Sequence, residues 1–591
     1  MISYSNFLWA TPLVQILRSL HATLVAQFWP SWLVLTAAAV SGSTWIIGRP
    51  ASPGEQRRDE RHLIPVWPRV ATPAGIVALG ILVVFIVSYI AIILVWEDFA
   101  YMDNSIFTLY IFKGHDIPPP IWPKVGRLFP LGFQEFNLIR HFTDSAIGYH
   151  VLPIAELLVF VSILLVLNDE LGIAARVALA ILALLTPSIL ISFGGLIFPE
   201  RNELLFLAGL ILCVKRFEES ESTRWAAGAV LCAQIMVYYK ENAFLLLLGF
   251  AGARLLLRCR SGRLAGWDYD RLRDRLARLD WSLVGVAILF LLYYFGAMGL
   301  HPNVNYAIAN GNHSFVGMLL AYTRGDVLVW LLVVVAAGRI YLILRRRAAS
   351  LPLWDGLAIG GVAYFLAYLY LRIYRPWYSA PVDLIAVLYA GRFAVLSLER
   401  TRLWRKSIIL MLVFIVVFQN VVFSAVSIFE RKNAIHGKVE IARVVGEQYR
   451  MRTAHPLRLF FPFAAPYSIM EFAAYLSYRG IPVEGANGAD AGPEGAVLAG
   501  RAVAKDGPCM DYFTFIRCLA ADRPAPGDLV IVLPDDGASR AQASPYRARG
   551  ELFSYRPSVP GFRHALVADL AGALRITIPD RWMDGSVAIW Q

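Results

Sequence analysis

Charge is what this chain has least of. Only 17 % of its 591 residues are Asp, Glu, Lys or Arg, and 58 % are hydrophobic. Soluble domains run at about 25 % charged and about 45–50 % apolar. A soluble enzyme of this length would need a charged surface around several cores, and a disordered chain would need far fewer apolar side chains; both are excluded. Cysteine is scarce as well, with five in all, so this is no disulfide-stapled scaffold. Cys213 and Cys232 lie in apolar stretches and Cys259 in a basic loop. The C-x8-C spacing of Cys509 and Cys518 is not a zinc signature, although an oxidising compartment allows that pair to bridge. There is no fixed-period repeat and no low-complexity tract. His141 and His150 form no metal-ligand spacing with another His or Cys. No Walker A, GxGxxG, HExxH or GxSxG motif stands where its mechanism would work, so ATP-driven transport, dinucleotide redox chemistry and zinc or serine hydrolysis lack their signatures.

What the chain has instead is long apolar runs. A span needs roughly 18 or more apolar residues with few charges. Residues 74–96 satisfy this with no charge at all, and 407–428 is a second clear case. Further candidates lie near 28–48, 149–167, 176–195, 203–214, 225–239, 242–257, 281–300, 326–344, 353–372 and 381–397. The expectation is a polytopic α-helical membrane protein of about twelve spans. Its formal charge of +12 therefore reports topology and not nucleic acid. Basic residues crowd alternate loops: Arg49 to Arg69, Lys215 to Arg224, Arg254 to Arg278, Arg345 to Arg347 and Arg400 to Lys406. By the positive-inside rule those loops are cytoplasmic, which places the loop 97–147 and the tail on the opposite side. Residues 1–22, with Arg18 and His21, read as an interfacial or re-entrant start, with no signal-peptide cleavage pattern.

Composition shifts once, near 430. Residues 1–429 read as the transmembrane region and 430–591 as an extracytoplasmic α/β domain of about 160 residues. There LRLFFPFA, GDLVIVLPDD and ALRITIP read as strands, and APYSIMEFAAYLSYRG as a helix between Pro466 and Gly480. The segment 126–145 reads as an amphipathic helix on the membrane surface, with Arg127, Gln134, Glu135 and Arg140 among apolar residues. Asn312-His313-Ser314 fits a glycosylation sequon, a pattern common by chance.

Charges at the edge of a span are costly unless they pair, snorkel or function, and four groups invite attention. Glu97 and Asp98 open the first large outer loop, with Asp103 shortly after. They either end the span in solvent, supply a general base, or hold a divalent cation through oxygen ligands. Glu200-Arg201-Asn202-Glu203 follows Pro199 as a helix start, or as a carboxylate and an arginine facing a cleft. Lys240-Glu241 lies between two apolar stretches, either as a self-neutralising ion pair or with Lys240 holding a lipid phosphate. Arg372, Arg375 and Tyr378 put cations at an outer end, against the positive-inside trend. They either snorkel beside Trp377 and Tyr378 or hold an anionic headgroup.

This arrangement resembles the GT-C superfamily of membrane glycosyltransferases, such as the protein O-mannosyltransferases and the aminoarabinose and arabinofuranosyl transferases. Members of that superfamily carry an acidic pair in the first outer loop, as at Glu97-Asp98, and often an acidic residue in the second, as at Glu200. They use outer basic residues for the carrier phosphate, for which Lys240, Arg201 and Arg375 are candidates. They have an aromatic-Pro stretch before a late span, as in RPWYSAP. Two departures stand out: the acidic pair follows the second span here, and its Glu-Asp order leaves the base open between Asp98 and Asp103. The resemblance implies an integral enzyme of a bacterial inner membrane, the Arg-rich basic usage pointing to a GC-rich genome, with its active site on the periplasmic side. Its donor would be a polyprenyl-phosphate sugar and its acceptor an extracytoplasmic glycan, lipid or protein hydroxyl. Asp98, with Glu97 and Asp103, would be catalytic; Glu200, Arg201, Lys240, Glu241, Arg375 and Tyr378 would bind substrate. A divalent cation at Asp98, Asp103 and Glu200 is an open alternative. Two other readings are a secondary transporter or lipid-sugar flippase, and a glycan ligase or polymerase. Transporters tend to carry repeats and Gly/Pro-broken helices at the bilayer midplane, and the sequence reading finds neither.

Overall fold

A computed structural model describes residues 19, 21–49, 72–94, 98–100, 104–122, 126–259, 274–298, 314–400, 403–451, 457–462, 466–482, 497–500, 519–520, 524–534, 550–555 and 585–589. The chain divides into two units. The first comprises Met1–Ser88, Pro118–Glu135 and Leu152–Asn420; the second comprises Tyr89–Ile117, Phe136–Val151 and Val421–Gln591.

The main helices are α1 (Phe28–Gly48), α2 (Pro73–Leu94), α3 (Val151–Leu167), α4 (Ile173–Leu184), α5 (Pro187–Gly194), α6 (Glu200–Ser220), α7 (Thr223–Tyr239), α8 (Ala243–Cys259), α9 (Arg275–Met298), α10 (Phe315–Gly325), α11 (Val327–Leu344), α12 (Pro352–Leu371), α13 (Ala380–Arg400), α14 (Leu403–Met451) and α15 (Pro466–Tyr478). Among the described residues eight helices are long and apolar enough to cross a membrane: α1, α2, α3 with the turn before it, α9, α11, α12, α13 with the turn before it, and α14. The number rises to nine if α4 and α5, bent by 72° at their junction, count as one span. The sequence expectation was about twelve. The other three stretches do form helices, α6 to α8, but they do not meet the criterion. At 17 residues, α7 and α8 are about 25 Å long, short of a hydrocarbon core about 30 Å thick. Helix α6 is longer but carries charge at both ends.

These less apolar helices are the inner ones of the first unit. On α8 and α12, Gly249 and Gly360 face each other, and a Cβ added at Gly360 would stand 2.7 Å from the Leu246 carbonyl oxygen and 2.9 Å from the Phe250 nitrogen. Small residues at membrane helix contacts allow such close backbone approach. That contact seats α12, and the tyrosines near its end, against the helix that begins just after Lys240.

Two expectations need correction. The break between α4 and α5 is a Pro-broken helix, which the sequence reading had not found. Pro187 has no N–H for a continuing helix, and it starts α5 at its first turn. The segment 126–145 is not one helix. A two-stranded ribbon pairs β1 (Ile121–Trp122) with β2 (Arg127–Leu128), a turn follows at Pro130 and Gly132, and the helix there runs only from Gln134 to Ile139. Phe133 takes a left-handed φ of 68° just before it, which ends any continuous helical path. The composition shift near 430 falls inside α14, which runs unbroken for 49 residues. Polar residues enter there, but the apolar spacing of Ile441, Ala442, Val444 and Val445 continues, and all four are buried.

In the second unit the described strands form one sheet in the order β5 (Leu519–Ala520), β4 (Val497–Gly500), β3 (Arg458–Phe461), β6 (Leu529–Val532), β8 (Gly585–Ile589) and β7 (Glu551–Tyr555). The first four are mutually parallel, and β8 is antiparallel to both β6 and β7. Two of the expected strands and the expected helix fall at β3, β6 and α15. Strand β6 is buried along its whole length, as its continuous apolar run requires. The expected strand at ALRITIP, Cys509 and Cys518 lie outside the described residues.

Candidate functional site

In the first unit the helix ends gather charge. Helix α6 begins at Glu200, behind Pro199, with Glu200 and Glu203 in its first turn, where the positive end of the helix favours carboxylates. Helix α7 ends at Tyr239. Lys240 is extended, and its carbonyl accepts the Ala243 N–H at 3.0 Å as α8 starts. Lys240 is therefore fixed by backbone at a junction of two helices. Its Nζ donates to Glu200 Oε1 at 2.5 Å and lies 4.0 Å from the centre of the Tyr378 ring. The lysine is only 2 % exposed. The sequence neighbour Glu241 is not its salt-bridge partner; Glu241 pairs with Arg127 of β2.

Two tyrosines one turn apart on α12 continue the network. Tyr364 donates to Glu203 Oε1 at 3.0 Å and stands 3.5 Å from the Tyr368 hydroxyl. Tyr368 stacks on Tyr378 with ring centres 5.1 Å apart. On the other side of α6, Arg201 is wholly buried. Its guanidinium donates to Glu156 of α3, to Glu135 at 3.1 Å and to the Gly195 carbonyl at 3.0 Å. Asn202 also donates to Glu135, at 3.0 Å. Burial, only partly offset by Arg201, pushes the Glu135 carboxyl up to about 7. Thus five carboxyls (Glu135, Glu156, Glu200, Glu203, Glu241) face three cations (Arg127, Arg201, Lys240), with Glu200 Oε2, Glu135 Oε2 and Glu241 Oε2 buried and lacking a hydrogen-bond donor among the described residues.

Arg375 joins this end by another route. It lies over Trp377 at 5.9 Å, and Trp377 contacts Phe198, two residues before Glu200. Arg375 and Arg372 are both exposed, and Arg372 ends α12 in the left-handed region at φ 56°. Of the sequence candidates, the first unit thus brings together Glu200, Arg201, Lys240, Glu241, Tyr378 and Arg375.

Asp98 belongs to the second unit. Its Oδ1 accepts the Phe99 N–H at 2.6 Å, and Arg479 Nη1 is 3.8 Å from Oδ2. Tyr475 of α15 lies beside it, and Arg479 follows the end of that helix: burial first, and the Asp98 charge second, push the Tyr475 phenol well above its ordinary value. Phe99 anchors this segment among Phe107, Phe112, Tyr149 and Tyr478, with ring centres 4.9 to 5.7 Å apart. Asp98 itself is half-buried. Glu97 and Asp103 lie outside the described residues. Among the described residues no group of three or more His, Cys, Asp or Glu is arranged to hold a metal ion.

Sequence reasoning missed Glu156, Tyr364 and Tyr368. Glu156 was findable, as a lone carboxylate inside an otherwise apolar span. The tyrosines carry no such signal, because aromatic residues are ordinary in spans.

No family model and no curated protein matches the chain. One solved structure similar to it is the oligosaccharyltransferase of Archaeoglobus fulgidus, in complex with zinc and sulfate. The two share 10 % identity with a TM-score of 0.37, over 66 % of this chain and 61 % of that one. The chain thus spans about three fifths of that protein's length, and a likeness at this level carries no argument about chemistry.

Proposed function

We propose that this chain is a membrane glycosyltransferase that moves a sugar from a polyprenyl-phosphate donor to an extracytoplasmic hydroxyl of a glycan, lipid or protein. The observation that carries the reading is the buried network at one end of α6, α7 and α12, where Lys240, Glu200, Glu203, Tyr364, Tyr368 and Tyr378 meet. With eight candidate spans among the described residues, charge buried at helix ends is expensive to keep and marks function.

In this reading the donor enters from the outer, periplasmic leaflet of a bacterial inner membrane. The exposed Arg372 and Arg375 hold its phosphate. Asp98 takes the proton of the acceptor hydroxyl as that oxygen attacks the anomeric carbon. The bond from that carbon to the phosphate oxygen breaks, and polyprenyl phosphate leaves with the electron pair and its negative charge. Direct displacement inverts the anomeric configuration. No step is routed through a metal. Glu97 and Asp103 remain alternative bases of the same loop.

A second reading, a lipid-sugar flippase or transporter, is favoured by one observation: the 72° break between α4 and α5, since broken helices build transporter sites. One experiment separates the two. Purified protein in vesicles is given labelled polyprenyl-phosphate sugars and acceptor. A positioned base contributes about 10²–10⁴-fold, so Asp98→Asn should keep the fold and lose nearly all transfer. Equal transfer by both proteins removes Asp98 from the mechanism. Label crossing the bilayer without transfer selects the flippase.

A further inference from the structure

Within the second unit the segment that carries Asp98 is held from both sides. Before it, Lys432 of α14 donates to the Ile93 carbonyl at 2.5 Å, which satisfies one of the last carbonyls of α2. After it, Phe99 is 1 % exposed and meets Tyr478, the last residue of α15, edge to face at 5.5 Å. Tyr478 also lies 4.6 Å from Phe112. One carboxylate oxygen of Asp98 accepts the Phe99 N–H.

The end of α15 fixes the residue that faces the other oxygen. Gly480 takes a left-handed φ of 74°, which glycine reaches without a Cβ penalty. Its N–H donates to the Ser477 carbonyl at 3.0 Å, and the Ile481 N–H donates to the Leu476 carbonyl at 2.9 Å. These paired bonds are a common closure of a helix at glycine. Ile481 is buried, and a Cβ added at Gly446 of α14 would stand 3.0 Å from its Cδ1, so the closed end is packed down on α14. Arg479 lies between the last helical turn and this closure, its own N–H donating to the Tyr475 carbonyl at 3.0 Å. From there its Nη1 stands 3.8 Å from Asp98 Oδ2.

The Arg479 side chain is 45 % exposed and that of Asp98 19 %. A pair so open to solvent contributes little to stability. It can matter to a general base, which has to be ionised and aimed. At 3.8 Å the guanidinium is beyond hydrogen-bond length, yet within the range at which an opposite charge favours a carboxylate. The Phe99 N–H orients one oxygen, and the arginine holds charge at the other without a short bond to it. We propose that Arg479 is a positioning residue for Asp98, so that α15, from the C-terminal part of the chain, completes the catalytic centre. The inference rests on the glycosyltransferase reading above.

The test uses the full chain in vesicles with labelled polyprenyl-phosphate sugar and acceptor. A misplaced reacting group can cost about 10²-fold, so Arg479→Gln should lower kcat by up to that factor. Donor KM and the thermal unfolding midpoint should not move. Arg479→Lys should recover most of the loss, because a single contact at this distance asks for a charge and not a planar fork; lost packing would not be recovered in this way. Arg458→Gln removes an arginine of similar exposure, 44 %, that pairs with Asp528 at 3.3 Å in the same unit, and it should keep wild-type kcat. If Arg479→Gln keeps its kcat while Asp98→Asn loses transfer, the inference alone is wrong and the reading stands. If lysine recovers nothing, if Arg479→Gln unfolds early, or if Arg458→Gln loses as much, the role is structural and the inference is again overturned. If wild type transfers no sugar, or Asp98→Asn transfers as well as wild type, the reading fails and the inference falls with it.

Discussion

Removing Lys240 should cost far more than its single hydrogen bond. In Lys240→Met the side chain keeps its length and apolar stem, so little packing is lost. The ammonium that faces Glu200 at 2.5 Å is gone, and a carboxylate that is 1 % exposed remains. Breaking a buried pair from one side costs about 3–5 kcal/mol, because the partner stays buried and uncompensated. Loss of the cation from the Tyr378 ring adds about 0.5–2 kcal/mol. At 1.4 kcal/mol per tenfold, the pair alone shifts the folding equilibrium by roughly two to three and a half powers of ten. Glu203 cannot take the place of the lost cation, being a further carboxyl bound to Tyr364. Glu200→Leu should be costly for the converse reason. The double variant should recover most of the loss, since a well-packed apolar pair is often as stable as a buried ion pair. The assay is reversible unfolding in mixed micelles, followed by tryptophan fluorescence, with the four proteins forming a double-mutant cycle. Additive losses within about 0.5 kcal/mol, or a Lys240→Met protein as stable as wild type, would refute the reasoning.

Two further outcomes follow from the same end of the first unit. Glu135 is held near 7 by burial, above its ordinary value. A carboxyl raised on folding contributes stability that is fully present below its unfolded value and is lost as pH rises through the folded one; wild-type stability should therefore decline between about pH 5 and 8. Glu135→Gln, measured by thermal unfolding across that range, should flatten the decline; an unchanged slope would exclude Glu135 as its source. Arg375→Gln and Arg372→Gln alter exposed side chains, so unfolding should stay within about 0.5 kcal/mol of wild type. Their effect should instead be a rise in the apparent KM for a polyprenyl-phosphate donor, and unchanged donor kinetics in the double variant would remove both from the site.

Much of the helical region was legible because its signal is local. An uncharged run such as 74–96 has no stable place but an apolar one, and it forms α2. The helices α6 to α8 were legible as apolar segments but not as spans, because their ends carry the charges that make the site. The α4–α5 break was open to reading, since Pro187 interrupts the apolar run ILALLTPSIL, yet hydropathy alone scores that run as continuous. The composition shift near 430 lies close to the division of the chain into units after Asn420, but it does not mark a helix end: helical periodicity does not change there, and α14 continues to Met451.

The site residues were legible by type but not by partner. Adjacent residues on a chain do not face each other, so Lys240 and Glu241 were poor candidates for a pair. Their true partners, Glu200 and Arg127, are 40 and more than 100 positions away, a distance no local pattern spans. Asp98 shows a related limit. Its placement after an uncharged span was visible, but its companions Tyr475, on α15, and Arg479, just past the end of that helix, come more than 370 residues later.

Partner choice also decides between the candidate phosphate holders. A cation already neutralised in a buried network has little attraction left for an incoming anion, and displacing its carboxylate would leave that group uncompensated. Arg201 is in that position, with Glu156 and Glu135 on its guanidinium. Lys240 is nearly so. An ionised carboxylate beside the reacting sugar favours a centre of developing positive charge. The transition state of glycosyl transfer has such a centre, at the oxocarbenium-like anomeric carbon. On the proposed reading, then, the division of labour follows from charge. The exposed Arg372 and Arg375, free of ion pairs among the described residues, bind the donor's phosphate at the rim. The buried carboxyls around Lys240 stabilise the sugar as its bond to that phosphate breaks. Glu203→Gln should accordingly lower kcat while leaving donor affinity in place, the reverse of the arginine variants. A Glu203→Gln enzyme that loses donor binding and keeps its turnover would invert the assignment.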